Sequence, residues 1–232
     1  MKTAKRNALN RIEITVLIFV LVLYVIGIVA SWINIKWFEE VYVVEDGFIE
    51  WLTVLPLVIT SIVAMTYLVK LSAKRNWMFS AAVLVIAVFC FFDAGEEISW
   101  GQRIFHIKTP EYFAEHNTQD ELNIHNLVVD GERVNTLVFS QLFIAAAVLY
   151  LVGLPILYNK NQKFKKFIDR VGVPVARLYQ IIACALVFAL PSLSPSEKRS
   201  ELLEFGACFM FMLIVLYPQN KAVFRKDLDL KS

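Results

Sequence analysis

Carboxylate side chains are concentrated in short polar stretches that adjoin strongly apolar segments. The stretch DAGEEISWGQRIFHI, residues 93–107, follows an apolar run and contains Glu96, Glu97 and Arg103. If the helix of the apolar run continues into this stretch, Asp93 shares a face with Glu96 and Glu97, and the like charges repel. The C-terminal end of a helix also repels anions. These acids do not stabilise a helix end, which indicates that they belong to a functional site.

The long connection after this stretch predicts two short helices. Thr109, Pro110 and Glu111 are typical of a helix start, with Thr109 as the N-cap and proline at the first helical position. Thr118, followed three residues later by Glu121, forms a capping box for a second helix. A capping box gives Glu121 a structural role, so a functional role for it depends on its neighbours.

Glu121 and His125 could act together on the second of these helices. They are four residues apart, so a helix presents both on one face. There they could bind one metal ion, or the carboxylate could fix the tautomer of the imidazole. Amide side chains crowd the same stretch at Asn117, Gln119, Asn123 and Asn126. We therefore predict that residues 117–126 contribute to a polar site.

Two further predicted helix starts carry acids. Glu50 lies in the first turn of the second apolar segment, where the helix dipole favours an anion. Glu201 and Glu204 begin the last apolar segment, where Ser196 or Ser200 could serve as the N-cap. Apolar residues flank Glu204 on both sides, and an ionisable residue at membrane depth indicates a functional site.

Transmembrane helices are the elements that must position these residues. The chain has 232 residues, of which 58% are hydrophobic, and a mean hydropathy of +0.58, which exceeds what a soluble domain needs. Six apolar segments approach the roughly 20 residues of a spanning helix: 14–33, 51–69, 77–95, 137–158, 178–194 and 201–217. We predict an all-α fold, a six-transmembrane-helix bundle that forms one domain over residues 1–232, with a short helical connection between helices 3 and 4.

The distribution of charge predicts the orientation of this bundle. Most of the 23 Lys and Arg residues lie in the two tails and in the second and fourth connections. The positive-inside rule makes these segments cytoplasmic, together with both termini. Most of the 21 acids fall at the opposite face, which topology does not require because acids contribute little to orientation. The first apolar segment is longer than the core of a signal peptide, so we predict a retained anchor.

Three motifs stand out: EDGFIEWLT at residues 45–53, GEEISWGQRIF at residues 95–105, and the spaced Asn, Gln, Glu, Asn, His and Asn of residues 117–126. With these motifs the chain resembles a family of multi-pass bacterial membrane proteins of uncharacterised function. The resemblance implies a bacterial inner-membrane protein whose polar motifs lie outside. It implies no particular reaction.

The conjunction of acids at one face predicts an outward-facing carboxylate and histidine site. Arg103, His106 and His116 would be its positive complement. A first hypothesis is a metal-assisted hydrolase or transferase that acts on a membrane lipid or a lipid-linked envelope substrate, with the metal activating a water molecule. Mn²⁺ or Mg²⁺ suits carboxylate ligands best, and Ca²⁺ or Zn²⁺ is the alternative.

Each group of predicted site residues has a role in this hypothesis. The predicted metal ligands are Glu97, Glu121, His125 and Glu204. The predicted catalytic residues, with Glu96 or Glu50 as the general base and Arg103 binding a phosphate, are Glu50, Glu96, Glu97, Arg103 and His125. The supporting residues are Gln102, His116, Asn117, Gln119, Asn123, Asn126 and Glu201.

Two other classes of function are open. An acidic outer mouth could concentrate cations for a channel or transporter, which a homo-oligomer could form. The GEEISWGQR loop could instead be the docking surface of a non-enzymatic sensor or assembly partner. The sequence contains no nucleic-acid-binding module or Gly-rich phosphate loop, and its three cysteines all lie in apolar segments, where they behave as small hydrophobic residues.

Overall fold

The computed structural model of the chain describes residues 9–44, 47–117, 120–124, 127–129, 132–133 and 141–225. Within these ranges the regular secondary structure is helical, apart from a short antiparallel pairing of Val128–Val129 with Glu132–Arg133. The all-α prediction is confirmed.

In the part of the chain that the structure describes, three helices are long and apolar enough to cross a membrane. They are α1 (Arg11–Ile33), α3 (Phe48–Leu71) and α4 (Trp77–Glu97), with 23, 24 and 21 residues. Asn10 caps α1, because its side chain accepts a hydrogen bond from the backbone N–H of Glu13 at 2.9 Å. The chain is therefore a helical membrane protein, and its first three predicted apolar segments form the three long helices.

Short elements connect these three helices. After α1 come α2 (Ile35–Trp37) and a π-helical turn (Phe38–Tyr42), and a 3₁₀ turn (Ser72–Lys74) joins α3 to α4. The Tyr42 hydroxyl donates a hydrogen bond to the carbonyl oxygen of Leu23 at 2.9 Å. Burial raises the pKa of Tyr42 to about 12, so the phenol remains a donor that fixes the turn against α1.

The connection after α4 contains a 3₁₀ turn (Ser99–Gly101) and the short helix α5 (Glu111–His116). The predicted helix starting at Thr118 is wrong where the structure describes it, because residues 120–124 are not helical and Asp120 has a φ of +58°. A residue whose backbone lies in this left-handed region interrupts a right-handed helix. Thr118 itself lies outside the described residues.

The fourth and fifth predicted segments form shorter or interrupted helices. The fourth contains α6 (Gln141–Val148), a π-helical segment (Leu149–Gly153) and α7 (Leu154–Lys160). It is followed by the amphipathic helix α8 (Gln162–Val171). The fifth contains α9 (Leu178–Ala189), which continues as a 3₁₀ turn (Leu190–Leu193).

The last predicted segment forms α10 (Arg199–Leu216), and a 3₁₀ turn (Lys221–Phe224) follows it. Lys198 is the N-cap of α10 and makes no side-chain capping bond, so the prediction that Ser196 or Ser200 caps this helix is wrong. The Ser196 hydroxyl instead accepts a hydrogen bond from the backbone N–H of Lys198 at 3.1 Å. It closes a turn just before the helix begins.

Helix α10 lies at the centre of the core. Its residues Leu202, Phe205 and Leu213 are fully buried in the largest hydrophobic cluster of the described residues, together with residues of α1 and α9. The Tyr24 hydroxyl of α1 donates a hydrogen bond to the carbonyl oxygen of Leu202 at 2.7 Å. Helix α10 is thus surrounded by the other helices, although its first turns carry acids.

Gly206 of α10 allows this close approach of α1. A Cβ atom at position 206 would lie 2.1 Å from the Tyr24 hydroxyl oxygen. We expect Gly206→Ala to lower the free energy of unfolding by about 1–3 kcal/mol through overpacking. Denaturant unfolding in detergent micelles measures this loss.

Two variants give the control for Gly206→Ala. A Cβ atom at Gly153 would meet only one side-chain atom, at 3.8 Å, so Gly153→Ala should leave stability nearly unchanged. Tyr24→Phe removes the closest contact but leaves ring carbons 2.8 and 2.9 Å away, so it should rescue Gly206→Ala only in part. Equal stability of the two alanine variants would contradict the packing described for α1 and α10.

The helices begin and end at two ends of the molecule. At one, which we call the Arg177 end, Arg177 donates a hydrogen bond to the carbonyl oxygen of Tyr217 at 2.8 Å. There the side chain of Asn76 also donates to the carbonyl oxygen of Arg170 at 3.0 Å. At the other, the Glu97 end, Trp32 donates to the carbonyl oxygen of Leu193 at 2.8 Å. The basic second and fourth connections therefore lie together at the Arg177 end.

Candidate functional site

Five carboxyl groups from three helices meet at the Glu97 end. Glu97 is the last residue of α4, and the carboxyl groups of Glu204, Asp93, Glu50 and Glu201 lie close enough to act on it electrostatically, with Glu204 contributing most. All five residues are partly buried. We call these five residues the acidic cluster. It unites four predicted site residues, Glu50, Glu97, Glu201 and Glu204.

The local helix geometry explains how the cluster assembles. Asp93 and Glu97 lie one turn apart on α4, whereas Glu201 and Glu204 lie three residues apart at the start of α10. Glu50 and Glu201 occupy first turns, where the helix dipole favours an anion. Asp93 and Glu97 lie at a helix C-terminus, where the dipole does not help. The two acids of α4 therefore carry the largest electrostatic cost.

The cluster extends into the bundle along α10. Cys208 lies four residues after Glu204, and Asp93, Glu97 and Glu204 all act on it electrostatically. Cys90 of α4 also lies close to Cys208. The three cysteines of the chain, Cys90, Cys184 and Cys208, are free thiols, as their apolar surroundings predicted. The acidic cluster thus adjoins apolar residues inside the bundle, together with the thiols of Cys90 and Cys208.

The cluster does not form a closed metal site by itself. In the described part of the chain, no group of three His, Cys, Asp or Glu residues could hold a metal ion. His125, a predicted ligand, lies outside the described residues, as do Gln119 and Asn126. The described acids are therefore an electrostatic assembly that lacks a complete coordination shell of its own.

Glu96 has a different environment from its neighbour Glu97. Its side chain is buried and accepts hydrogen bonds from the indole N–H of Trp100 at 2.8 Å and from the backbone N–H of Ile124 at 2.6 Å. Glu96 thus fastens the later part of the long connection to the end of α4. Glu96 and Glu97 are adjacent in the sequence, but their side chains belong to separate sites.

Glu121 belongs with Glu96 rather than with the acidic cluster. Its buried carboxylate accepts hydrogen bonds from Arg103 at 2.7 Å and from the side chain of Asn123 at 2.9 Å. Residues 120–124 are not helical, so Glu121 does not lie on a helix in the described part of the connection; Thr118 and His125, its predicted partners, lie outside the described residues. The prediction that Arg103 complements an acid is met, but its partner is Glu121.

Amide side chains complete this second network. Asn117 donates to the side-chain oxygen of Asn123 at 2.9 Å, and Asn123 donates to the hydroxyl of Ser99 at 3.1 Å. Gln102 donates to the hydroxyl of Thr109 at 2.7 Å and accepts from the backbone N–H of Leu122 at 2.6 Å. The crowding of amides in the sequence therefore has a structural explanation.

Helix α5 starts one residue later than its sequence predicts. Pro110 is the N-cap and makes no side-chain capping bond, so the prediction of Thr109 as N-cap is wrong. The Thr109 hydroxyl donates instead to the carbonyl oxygen of Asp120 at 2.8 Å. This long-range bond outcompetes local capping, because it satisfies a carbonyl group of the returning chain.

The GEEISWGQR motif forms a tight left-handed turn. Ser99, Trp100 and Gly101 have φ angles of +45°, +54° and +74°. The Trp100 ring folds back onto Gly95, where a Cβ atom would lie 2.9 Å from the ring. Glycine at position 95 is therefore needed for packing, and glycine at position 101 suits a backbone that other residues rarely adopt.

Comparison with known proteins gives no relative whose chemistry could be compared with that of this site. No protein-family model, curated protein or solved structure matches the chain. Family membership and a bacterial source thus stay predictions from the three motifs. The chemistry of the site has to follow from its geometry.

Two histidines that were predicted to complement the acids do not join the acidic cluster. His106 is exposed and has a φ of +52°. His116 is exposed as well, stacks on the ring of Tyr112 with ring centroids 4.5 Å apart, and places Nδ1 2.9 Å from the carbonyl oxygen of the same residue. His116 is therefore part of the surface of α5.

A buried ion pair at the Arg177 end was not predicted from the sequence. Glu13 is 1% exposed, and its carboxylate accepts hydrogen bonds from the guanidinium of Arg177 and the hydroxyl of Tyr179. By charge and position alone, Glu13 and Arg177 belong to segments that the positive-inside rule predicts to be cytoplasmic, and nothing in the sequence pairs them. The available signal was an acid inside the first turn of an apolar helix, which a capping box with Asn10 also explains.

Proposed function

We propose that the chain is a six-span protein of a bacterial inner membrane, with both termini in the cytoplasm. The sorting of the basic connections to the Arg177 end supports this orientation, because the positive-inside rule assigns that end to the cytoplasm. The acidic cluster then faces the outside. The resemblance of the three motifs to bacterial inner-membrane proteins agrees with this location.

The contacts of α9 support its role as a membrane span. Arg177, just before α9, pairs with Glu13 at the start of α1, and Leu193, just after α9, accepts a hydrogen bond from Trp32 at the end of α1. The segment from Leu178 to Leu193 thus covers the same depth as α1, which is long enough to span.

Helix α10 has similar support. Glu201 and Glu204 lie at the Glu97 end, whereas the carbonyl oxygen of Tyr217 is bonded to Arg177 at the opposite end. The fourth segment is helical from Gln141 to Lys160, although the π-helical segment Leu149–Gly153 interrupts its α-helix. Its Tyr150 hydroxyl donates to the carbonyl oxygen of Pro174 at 2.9 Å, which joins it to the bundle at the Arg177 end.

The proposed activity of the acidic cluster is the binding of a divalent cation. The observation that supports it is the electrostatic action of four other carboxyl groups on Glu97; because these acids form no complete metal site among the described residues, groups outside the cluster would have to complete the coordination shell. Acids crowded in a partly buried site are tolerated when a cation neutralises them or when some are protonated. Carboxylate and water oxygens are the ligands of Mg²⁺, Mn²⁺ and Ca²⁺, whereas Zn²⁺ usually requires more imidazole or thiolate. His125 would be an additional ligand.

We further propose that the chain is a hydrolase or transferase that uses this cation to act on lipid or lipid-linked envelope substrates. A bound divalent cation lowers the pKa of water and makes it a nucleophile near neutral pH. Glu50 and Glu96 are the two candidate bases, and the carboxylate of Glu96 accepts hydrogen bonds from Trp100 and Ile124. The side chain of Arg103 is 54% exposed while it pairs with Glu121, and an exposed guanidinium is a group that can bind a phosphate.

Binding of Mn²⁺ to the purified protein, measured by electron paramagnetic resonance, tests the cation site. We expect one bound Mn²⁺ per chain in the wild type, and affinity at least about tenfold weaker in Glu97→Gln and Glu204→Gln, since even an outer-shell partner of a metal site is worth that much. Glu40→Gln is the matched control, because Glu40 is an exposed acid. Its affinity should equal that of the wild type.

The same experiment separates the alternatives. Absence of Mn²⁺ binding, or equal binding by wild type and Glu97→Gln, contradicts the cation site. Specific binding together with Mn²⁺ flux into liposomes favours a cation channel or transporter over an enzyme. Specific binding without flux leads to a screen of phospholipids and lipid-linked phosphates for turnover that the Glu97→Gln variant lacks.

A further inference from the structure

An apolar turn projects from the Glu97 end. The six residues 103–108 are all exposed, and three of them are large and apolar: Ile104, Phe105 and Ile107 have exposed fractions of 54%, 72% and 44%. We call residues 103–108 the apolar turn. A loop surrounded by water seldom exposes three large apolar side chains within four residues, so this exposure indicates an interaction surface.

The exposure of the apolar turn does not result from a loose backbone. The backbone N–H of Phe105 donates to the carbonyl oxygen of Gly101 at 2.9 Å, and that of Ile107 donates to the carbonyl oxygen of Gln102 at 2.9 Å. At the base of the turn, Gln102 is buried, and Arg103 is held by Glu121. Phe105 and its apolar neighbours are therefore presented outward by a fixed scaffold.

Trp100 shows which side of the bundle the turn occupies. Its ring packs edge-on against Phe91 and Phe92, with ring centroids 6.4 and 5.4 Å apart. Both phenylalanines are exposed on the outer surface of α4, the surface that faces lipid when α4 spans the membrane. The apolar turn thus starts beside the lipid-facing surface, at the level where the spanning helix ends.

The charges of the turn fit the same environment. Arg103 and Lys108 flank the apolar residues, and His106 lies between them. Cationic side chains beside exposed apolar ones are the pattern of segments that lie in the membrane interface, where the cations meet phosphate groups. Tryptophan, here Trp100, is also typical of this level of the bilayer.

We propose that the apolar turn inserts into the membrane leaflet at the Glu97 end, with Ile104, Phe105 and Ile107 at the boundary of headgroups and acyl chains. Arg103 and Lys108 then lie at the level of the lipid phosphates. The inference depends on α4 spanning the membrane and does not depend on the chemistry of the acidic cluster. The turn would hold lipid headgroups close to that cluster.

Spin labels test the insertion directly. The native cysteines are replaced by alanine, and single cysteines are introduced by Phe105→Cys, by Ile107→Cys and, as a control, by Glu115→Cys on the exposed surface of α5. The labelled proteins are reconstituted into vesicles of phosphatidylethanolamine and phosphatidylglycerol. Accessibility of each label to oxygen, which concentrates in the bilayer, is compared with accessibility to a water-soluble nickel chelate.

We expect the labels at positions 105 and 107 to be more accessible to oxygen than to the nickel chelate, and the label at position 115 to show the reverse. Preference for the nickel chelate at both 105 and 107 would establish a solvated loop and overturn the proposal. Labels shielded from both reagents would reveal a protein contact and also overturn it. Because two positions are measured, a folding defect in one variant leaves the other to decide.

Discussion

Arg177→Met should lower the free energy of unfolding by about 3–5 kcal/mol, the cost of breaking a buried ion pair by removing one partner. The substitution leaves the carboxylate of Glu13 buried, with the Tyr179 hydroxyl and the backbone N–H of Asn10 as its described donors. It also removes the hydrogen bond from Arg177 to the carbonyl oxygen of Tyr217. Unfolding by denaturant in detergent micelles measures the change.

Two variants define the meaning of this loss. The double variant Glu13→Leu, Arg177→Met removes both charges and should recover a large part of the stability, because apolar replacements of a buried pair are often tolerated. Lys36→Met breaks the exposed pair of Lys36 with Glu40, whose atoms are 3.9 Å apart, and should cost no more than about 1 kcal/mol. An Arg177→Met variant as stable as Lys36→Met would contradict the burial of the pair.

The adjacent substitutions Glu96→Gln and Glu97→Gln should change stability in opposite directions. Glu96 accepts two hydrogen bonds as a buried carboxylate, and such bonds to a charged group contribute about 1.5–3 kcal/mol each. Glutamine at position 96 would place its side-chain NH₂ group against the N–H of Trp100 or of Ile124, so that two donors face each other and one hydrogen bond is lost. We therefore expect the free energy of unfolding to fall by about 3 kcal/mol. An amide at position 97 removes repulsion from four other acids, so stability should not fall and should rise in the absence of divalent cations.

Thermal unfolding of the two variants in the same detergent, with a chelator present, is the measurement. The two amide substitutions have the same size and lie in neighbouring positions, so each is the control of the other. If Glu97→Gln is destabilised as much as Glu96→Gln, Glu97 is a structural acceptor, and its assignment to a cation site loses its basis.

Much of the architecture could be predicted from hydropathy and charge. The apolar runs predicted where the long helices lie, and the distribution of Lys and Arg predicted which connections share an end. The meeting of Glu50, Glu97 and Glu204 was also predictable, because helix ends on one side of a bundle come together. The π-helical segment Leu149–Gly153 and the 3₁₀ turn Leu190–Leu193 were not, since packing against neighbouring helices determines where a regular α-helix is interrupted.

The separation of Glu96 from Glu97 could not be predicted. Neighbouring residues on a helix point about 100° apart, and only the packing of α4 decides which one faces α10. The role of Glu121 was hidden in the same way, because a capping box is a local pattern. The hydrogen bonds of Glu121 to Arg103 and Asn123 and the positive φ of Asp120 depend on the fold of the whole connection.

The Glu13 ion pair has a consequence for the biogenesis of the protein. Glu13 and Arg177 are 164 residues apart in the chain. At a synthesis rate of about 5–20 residues per second, on the order of ten to thirty seconds separate the emergence of the two side chains from the ribosome. During that interval the first helix already carries an acid whose cationic partner does not yet exist. Helices α1 and α9 can therefore join only late in synthesis, and until then the start of α1 must remain hydrated or be shielded by the insertion machinery.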